Sequence, residues 1–161
     1  MAYTPFTSKK IKCPVSIAII IGSILASDSI DVKNETISGN IIVIIKNVDT
    51  GRSGDLIINL YTKKNWNKPE KVFRRQLVQI DSRSEYKVIF DSLPFPMVYA
   101  VQAVHDSDGN GMLTMKWLPP GPKEGAGVSN YIPTGIPKFQ KAKFYYSGKT
   151  RSVRVVLTYP N

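Results

Sequence analysis

Residues 55–62 read DLIINLYT, and their pattern decides the class of fold. Leu56, Ile58 and Leu60 fall at every second position, with Ile57, Asn59 and Tyr61 between them. A period of two puts these sets on opposite faces of a strand, whereas a helix would need a period near 3.6. Further short apolar runs occur at 40–48 (NIIVIIKNV), 75–80 (RQLVQI), 85–90 (EYKVIF), 97–106 (MVYAVQAVHD), 141–147 (KAKFYYS) and 151–159 (RSVRVVLTY). Turn-forming clusters lie between runs, at 49–54 (DTGRSG), 81–84 (DSRS), 92–96 (SLPFP) and 147–149 (SGK). Seven short strands with polar turns predict an all-β protein, an antiparallel β-sandwich of about seven strands. Tyr99 follows a Pro-rich turn and resembles the tyrosine corner of sandwich domains, whose hydroxyl bonds a nearby backbone group. Residues 67–75 predict a helical turn or two, with Pro69 near its start. The stretch 107–140 is rich in Pro and Gly, which predicts a long loop without regular strand, of the kind that carries function.

The 161 residues suit one domain able to bury a core without disulfides or metals. Lys and Arg number 22 against 12 Asp and Glu, a net charge of +10. Such a surface attracts polyanions such as nucleic acid, anionic lipid headgroups or acidic polysaccharide, or simply keeps a secreted domain soluble; the partner expected is an anionic envelope polymer or another protein. The basic residues are scattered along and beside the strands, as at Lys63, Lys64, Arg74, Arg75, Lys141, Lys143, Arg151 and Arg154. No segment reads as a nucleic-acid reading head, so no specific nucleic-acid partner is expected. Cys13 is the only cysteine, so no internal disulfide exists.

Residues 1–14 carry Lys9, Lys10 and Lys12 without an acid, residues 15–26 (VSIAIIIGSILA) are uncharged, and small residues follow at Ala26 and Ser27. A basic flank, a short apolar core and a small-residue exit have the layout of a secretory signal. The run is short for a membrane span, which needs roughly 20 apolar residues. Two other readings stay open: an uncleaved N-terminal apolar anchor and a buried first strand. The expectation is a signal or apolar segment at 1–26, a single sandwich domain at 27–161, and a periplasmic or extracellular location. Asn34-Glu35-Thr36 matches a glycosylation sequon by chance.

The segments NWNKPEKVFRRQLVQI (65–80), VIFDSLPFPMVYAVQAVHDSDGNGMLTM (88–115) and GPKEGAGVSN (121–130) are similar, in order and spacing, to a family of bacterial secreted proteins known as domain of unknown function 2141. The resemblance covers roughly residues 40–159, and its most specific parts are HDSDGNG and PKEGAGVSN. It implies export and a transthyretin- or immunoglobulin-like sandwich, and it implies no biochemical activity. The chain departs from the family's pattern at Thr114, where the pattern ends on an acid, and at LPFPM (93–97), which lacks the pattern's glycine.

The run HDSDGNGMLTMKW (105–117) has two readings. As an oxygen-ligand loop it offers Asp106, Asp108 and Asn110 at the first, third and fifth places, Gly111 at the sixth, the Met112 carbonyl at the seventh and Thr114 at the ninth. Trp117 stands at the twelfth place, where a bidentate glutamate belongs, and Glu124 would have to close the site through the fold. An ion held there should be calcium, since every ligand is a hard oxygen, and weakly held, at roughly 10⁻⁴ to 10⁻³ M. As a plain turn, the Asp and Asn side chains bond their own backbone while Gly takes positive φ.

His105 is the only histidine and shares a strand face with Val101 and Ala103, the setting of a structural residue. No nucleophile motif accompanies it, so no catalytic residue is assigned and the chain is expected to be non-enzymatic. The glycine-rich 121–131 lacks the ending of a phosphate loop. It reads as a lid-like loop pinned by Ser129 and Asn130. Candidate ligand-surface residues are His105, Trp66, Trp117, Glu124, Asn130 and Tyr131. The expected function is an exported module that binds a ligand or partner through 106–140. The alternatives are an assembly protein with a retained N-terminal segment, and a hydrolase using His105 with Asp106 or Glu124.

Overall fold

A computed structural model describes residues 38–147 and 150–160. The basic and apolar segments of 1–26, Cys13 and the sequon at 34 lie outside the described residues. The strands are β1 (Ser38–Lys46), β2 (Asp55–Tyr61), β3 (Arg74–Gln79), β4 (Glu85–Pro94), β5 (Met97–Asp106), β6 (Met115–Lys116), β7 (Gly121–Pro122), β8 (Gly125–Val128), β9 (Phe144–Tyr146) and β10 (Thr150–Val156), with one short helix, α1 (Phe139–Ala142). One sheet has the order β10-β1-β4; the other runs β3-β2-β5-β8, with β9 paired to the start of β5. β6 and β7 form a separate hairpin, and no sheet closes on itself.

The period-two runs explain the core. Ile41, Val43 and Ile45 of β1, Tyr86, Val88 and Phe90 of β4, and Val153 and Val155 of β10 share one apolar cluster with Leu56, Ile58 and Leu60 of β2 and Val101 and Ala103 of β5. Each large aliphatic side chain buried this way contributes roughly 1.5–3 kcal/mol. Tyr99 lies within the cluster, and its hydroxyl donates to the Pro94 carbonyl at 3.0 Å, five residues back, as the tyrosine-corner reading expects.

Several expectations need correction. The pairing is not wholly antiparallel: β1 and β10 run parallel, Ile41 opposite Arg151 through Lys46 opposite Val156. The 67–75 segment does make its helical turn, a 3-10 turn at Pro69–Lys71 that starts on Pro69, and another precedes it at Lys63–Asn65. The run from 141 begins as the end of α1 and becomes strand only at Phe144. The stretch 107–140 does contain regular strand: β8 pairs with β5, Gln102 opposite Val128 and His105 opposite Gly125. Its glycines have a steric cause. A Cβ on Gly125 would lie 2.2 Å from the Tyr159 ring, and one on Gly127 2.3 Å from the Val156 carbonyl oxygen. The chain after β10 crosses β8 there, with Ala126 and Thr158 exchanging backbone hydrogen bonds at 3.0 Å. A side chain at either glycine would push that crossing away.

The other face of β2–β5 is covered by chain rather than by sheet. Ala100, Val128, Phe139 and Ala142 form a second apolar cluster, with Trp66 and Tyr131 packed against it. Ser129, fully buried, accepts from the Val101 N–H at 3.0 Å and donates to the Ala142 carbonyl at 2.6 Å. Asn130, at φ +72°, donates to the carbonyls of Ala142 and Lys143. These bonds pin 129–143 across the sheet.

Candidate functional site

The acidic loop is built by β5 running out at Asp106 and β8 beginning at Gly125. Asp106 Oδ1 accepts from the Asn110 N–H at 3.1 Å, and Oδ2 from the Gly111 N–H at 2.8 Å. Asp108 Oδ2 accepts from the Thr114 hydroxyl at 2.8 Å, and Asn110 Oδ1 from the Met112 N–H at 2.8 Å. Gly109 and Gly111 take φ of +69° and +78°. These are the bonds and dihedrals of the turn reading. Glu124 arrives from the foot of β8. Its Oε1 accepts from the Ser107 N–H and its Oε2 from the Thr114 N–H, each at 2.9 Å. One carboxylate oxygen each of Asp106, Asp108 and Glu124 lies within 4.8 Å of the others. The fold thus gathers Asp106, Asp108 and Glu124. Asn110 and Thr114 hydrogen-bond each other beside them, and Met112 enters through its N–H.

Most of the candidate ligand surface is structural. His105 is fully buried: its Nε2 faces the Ser53 carbonyl at 3.2 Å and its Nδ1 the Tyr159 hydroxyl at 2.9 Å. With the carbonyl as acceptor, Nε2 carries the proton and Nδ1 accepts from Tyr159, whose oxygen in turn accepts the Asp49 N–H. Glu124 is 2 % exposed and bound as above. Trp66 packs edge-on between Tyr61 and Phe139 and donates to the Pro137 carbonyl at 3.0 Å. The Tyr131 hydroxyl accepts the Lys138 N–H at 2.7 Å, and Asn130 serves as the brace described above. His105 and Glu124 are thus buried, while Trp66, Asn130 and Tyr131 each brace the fold through the bonds named. Trp117 stands in solvent, 93 % exposed, and Asn130 is exposed as well.

A cavity of about 840 Å³ lies on the outer face of β3-β2-β5-β8, beneath the 112–122 and 133–137 segments. Strand register organises its floor in two rows. One is apolar, with Ile57 opposite Val104 and Val104 opposite Ala126. The other is polar: Arg75 stands opposite Asn59, and Asn59 opposite Gln102. Arg75 Nε donates to Asn59 Oδ1 at 2.8 Å and its Nη2 to the Pro69 carbonyl at 3.2 Å. The Tyr61 hydroxyl points to Gln102 Oε1 at 3.5 Å, and burial raises the pKa of that phenol while Arg75 opposes the shift. Walls of Pro119, Pro120, Pro122, Pro133 and Pro137 complete the cavity. Sequence reasoning missed this row. The available signal was polar Asn59 and Gln102 inside otherwise apolar strands, but only the register shows that they meet.

Open sheets with one shared core, and a recess roofed by proline-rich segments, define an all-β domain. The chain matches, over residues 42–154, the family described as an uncharacterized protein conserved in bacteria, domain of unknown function 2141, and it belongs to that family. No curated protein and no solved structure matches it.

Proposed function

We propose that this protein is an exported, non-catalytic binding module, an open sandwich of the transthyretin or immunoglobulin type that holds a largely apolar small ligand against its five-stranded sheet. The observation that carries this reading is the cavity of about 840 Å³, a size within the range of small-molecule sites. Its apolar row would take the body of the ligand. The Arg75–Asn59–Gln102 row would orient a polar or anionic end, because Arg75 keeps donors beyond the two it already uses. The residues lining the cavity include no Asp, Glu, His, Cys or Ser, which supports binding over hydrolysis. The leader-like 1–26 supports export.

The test titrates the full chain with 1-anilinonaphthalene-8-sulfonate, a probe with fused rings and one anionic group. Saturable fluorescence is expected, and Ala126→Trp, which fills the floor, should abolish it without lowering the melting temperature. Equal enhancement in the filled variant would refute the reading.

Calcium is the ion proposed for Asp106, Asp108 and Glu124. Three carboxylates gather there, and none of the ion pairs among the described residues, Lys46–Glu85, Arg52–Asp49 and Arg83–Asp81, reaches them. Millimolar calcium should raise the melting temperature, and Asp106→Asn with Asp108→Asn should remove the rise. No thermal shift and no heat of binding would leave the loop as a turn.

A further inference from the structure

Among the described residues, the most exposed large apolar side chains lie beside the cavity. Met115 and Lys116 pair with Pro122 and Gly121, so Trp117–Pro120 forms the tip of a two-rung hairpin. Trp117 is 93 % exposed and Leu118 is 90 % exposed. Single exposed apolar residues are ordinary, but two adjacent ones left almost wholly in water are not. Ile136, 82 % exposed, borders the same cavity as the tip's prolines. Thr114 accepts the Lys123 N–H at 2.8 Å, which ties the hairpin's base to the acidic loop. Pro119 and Pro120 have fixed φ, so little conformational freedom remains to be lost when the tip docks.

The charged side chains next to the tip in sequence are basic, and the exposed Asp108 lies at the hairpin's base, where it accepts from Thr114. Lys116 and Lys123 flank the tip, and no acid occurs between Asp108 and Glu124. Glu124 is buried and bound to loop N–H groups, and after it the chain carries no further Asp or Glu. A four-residue tip is far too small for a stable protein interface, which buries about 800 Å² on each partner. A bilayer sets no such requirement: an indole settles at the headgroup level, an aliphatic neighbour enters the acyl boundary, and lysines meet anionic headgroups. We propose that the Trp117–Pro120 tip docks this protein on an anionic lipid bilayer, with Trp117 and Leu118 inserted and Lys116 and Lys123 against the headgroups. Lys116, Pro119 and Pro120 also line the cavity, but Trp117 and Leu118 do not, so substitutions at those two test docking apart from ligand binding.

The experiment uses the full chain and vesicles of phosphatidylcholine, alone or in equal mixture with phosphatidylglycerol. Co-sedimentation should favour the anionic vesicles, and Trp117→Ser with Leu118→Ser should weaken binding roughly tenfold or more. Lys116→Gln with Lys123→Gln should reduce the preference for phosphatidylglycerol. Lipids brominated in the acyl chain should quench the wild-type tryptophan emission, and Trp117→Phe, which keeps Trp66, should lose that quenching. An unchanged melting temperature in each variant excludes a folding effect. Undiminished sedimentation of the double serine variant, or equal quenching in Trp117→Phe, overturns the proposal, because another part of the chain is then the anchor. A change of oligomeric state on ultracentrifugation of the serine variant, with vesicle binding intact, also overturns it in favour of self-association.

Discussion

The two faces of the β2–β5 pair begin from similar sequence and are covered by different means. The inner face, with Leu56, Ile58, Leu60, Val101 and Ala103, is sealed by the inner face of the other sheet. The outer face, with Ile57, Asn59, Tyr61, Gln102 and Val104, is covered at one end by α1 and Trp66 and roofed elsewhere by proline-rich segments. A facing sheet supplies side chains at regular spacing and interdigitates with its partner. A roof of prolines has no such periodicity and leaves space beneath it. Polar residues are placed differently on the two faces: Asn59, 3 % exposed and bonded to Arg75, lies mid-strand beneath that space, whereas the buried His105 of the inner face sits at the end of β5, bonded to Ser53 and Tyr159.

The contrast breaks most directly on stability. Ile58→Ala on the inner face should cost about 2–5 kcal/mol, since a close-packed core cannot collapse onto the lost atoms. Urea unfolding measures it. A cost below 1 kcal/mol would mean that the inner face is not the principal core. Ser129→Ala tests how the outer covering is held. It removes the acceptor of a buried Val101 N–H and the donor to Ala142, so about 1–3 kcal/mol should be lost. Hydrogen exchange should quicken in 129–143 before it quickens in β1 or β10. Uniform acceleration would show that the covering and the core unfold as one unit.

The strands were readable because each is a local pattern: all seven predicted runs fall on β1–β5, β9 and β10, within a few residues. The turn chemistry of 106–114 was equally local, for Asp106 and Asn110 bond N–H groups two to five residues away. Long-range facts were not readable. The parallel pairing of β1 with β10 joins segments a hundred residues apart. β8 was hidden because Gly125, Ala126 and Gly127 are poor β-formers, kept there by the crossing of Val156 and Tyr159. Glu124 reaches Asp106 and Asp108 only because β8 pairs with β5. The Arg75–Asn59–Gln102 row depends in the same way on two registers that no local pattern specifies.

The smallest effect, confined to alkaline pH, compares the faces by their tyrosines. Burial pushes the Tyr99 phenol on the inner face up to about 12, with Tyr146 nearby adding to the shift. Tyr61 on the outer face is also raised by burial, but Arg75 pulls against it. A phenol whose folded pKa exceeds its unfolded value of about 10 binds its proton more tightly in the native state. Its contribution to stability is therefore complete below about pH 10 and is lost as pH rises through the folded value. Unfolding free energy should accordingly be insensitive to these groups at neutral pH and fall between about pH 10 and 12. Tyr86, Tyr146 and Tyr159, also raised by burial, add to the same slope. Tyr99→Phe should cost about 1 kcal/mol at neutral pH through the lost bond to Pro94, and should flatten the alkaline slope. Tyr61→Phe should flatten it less, because its phenol lies beside a cation at the edge of a recess. Urea unfolding of the three proteins at a series of alkaline pH values decides the matter. If Tyr61→Phe flattens the slope as much as Tyr99→Phe does, the outer face is as dry as the inner, and the distinction between a sealed face and a roofed one fails.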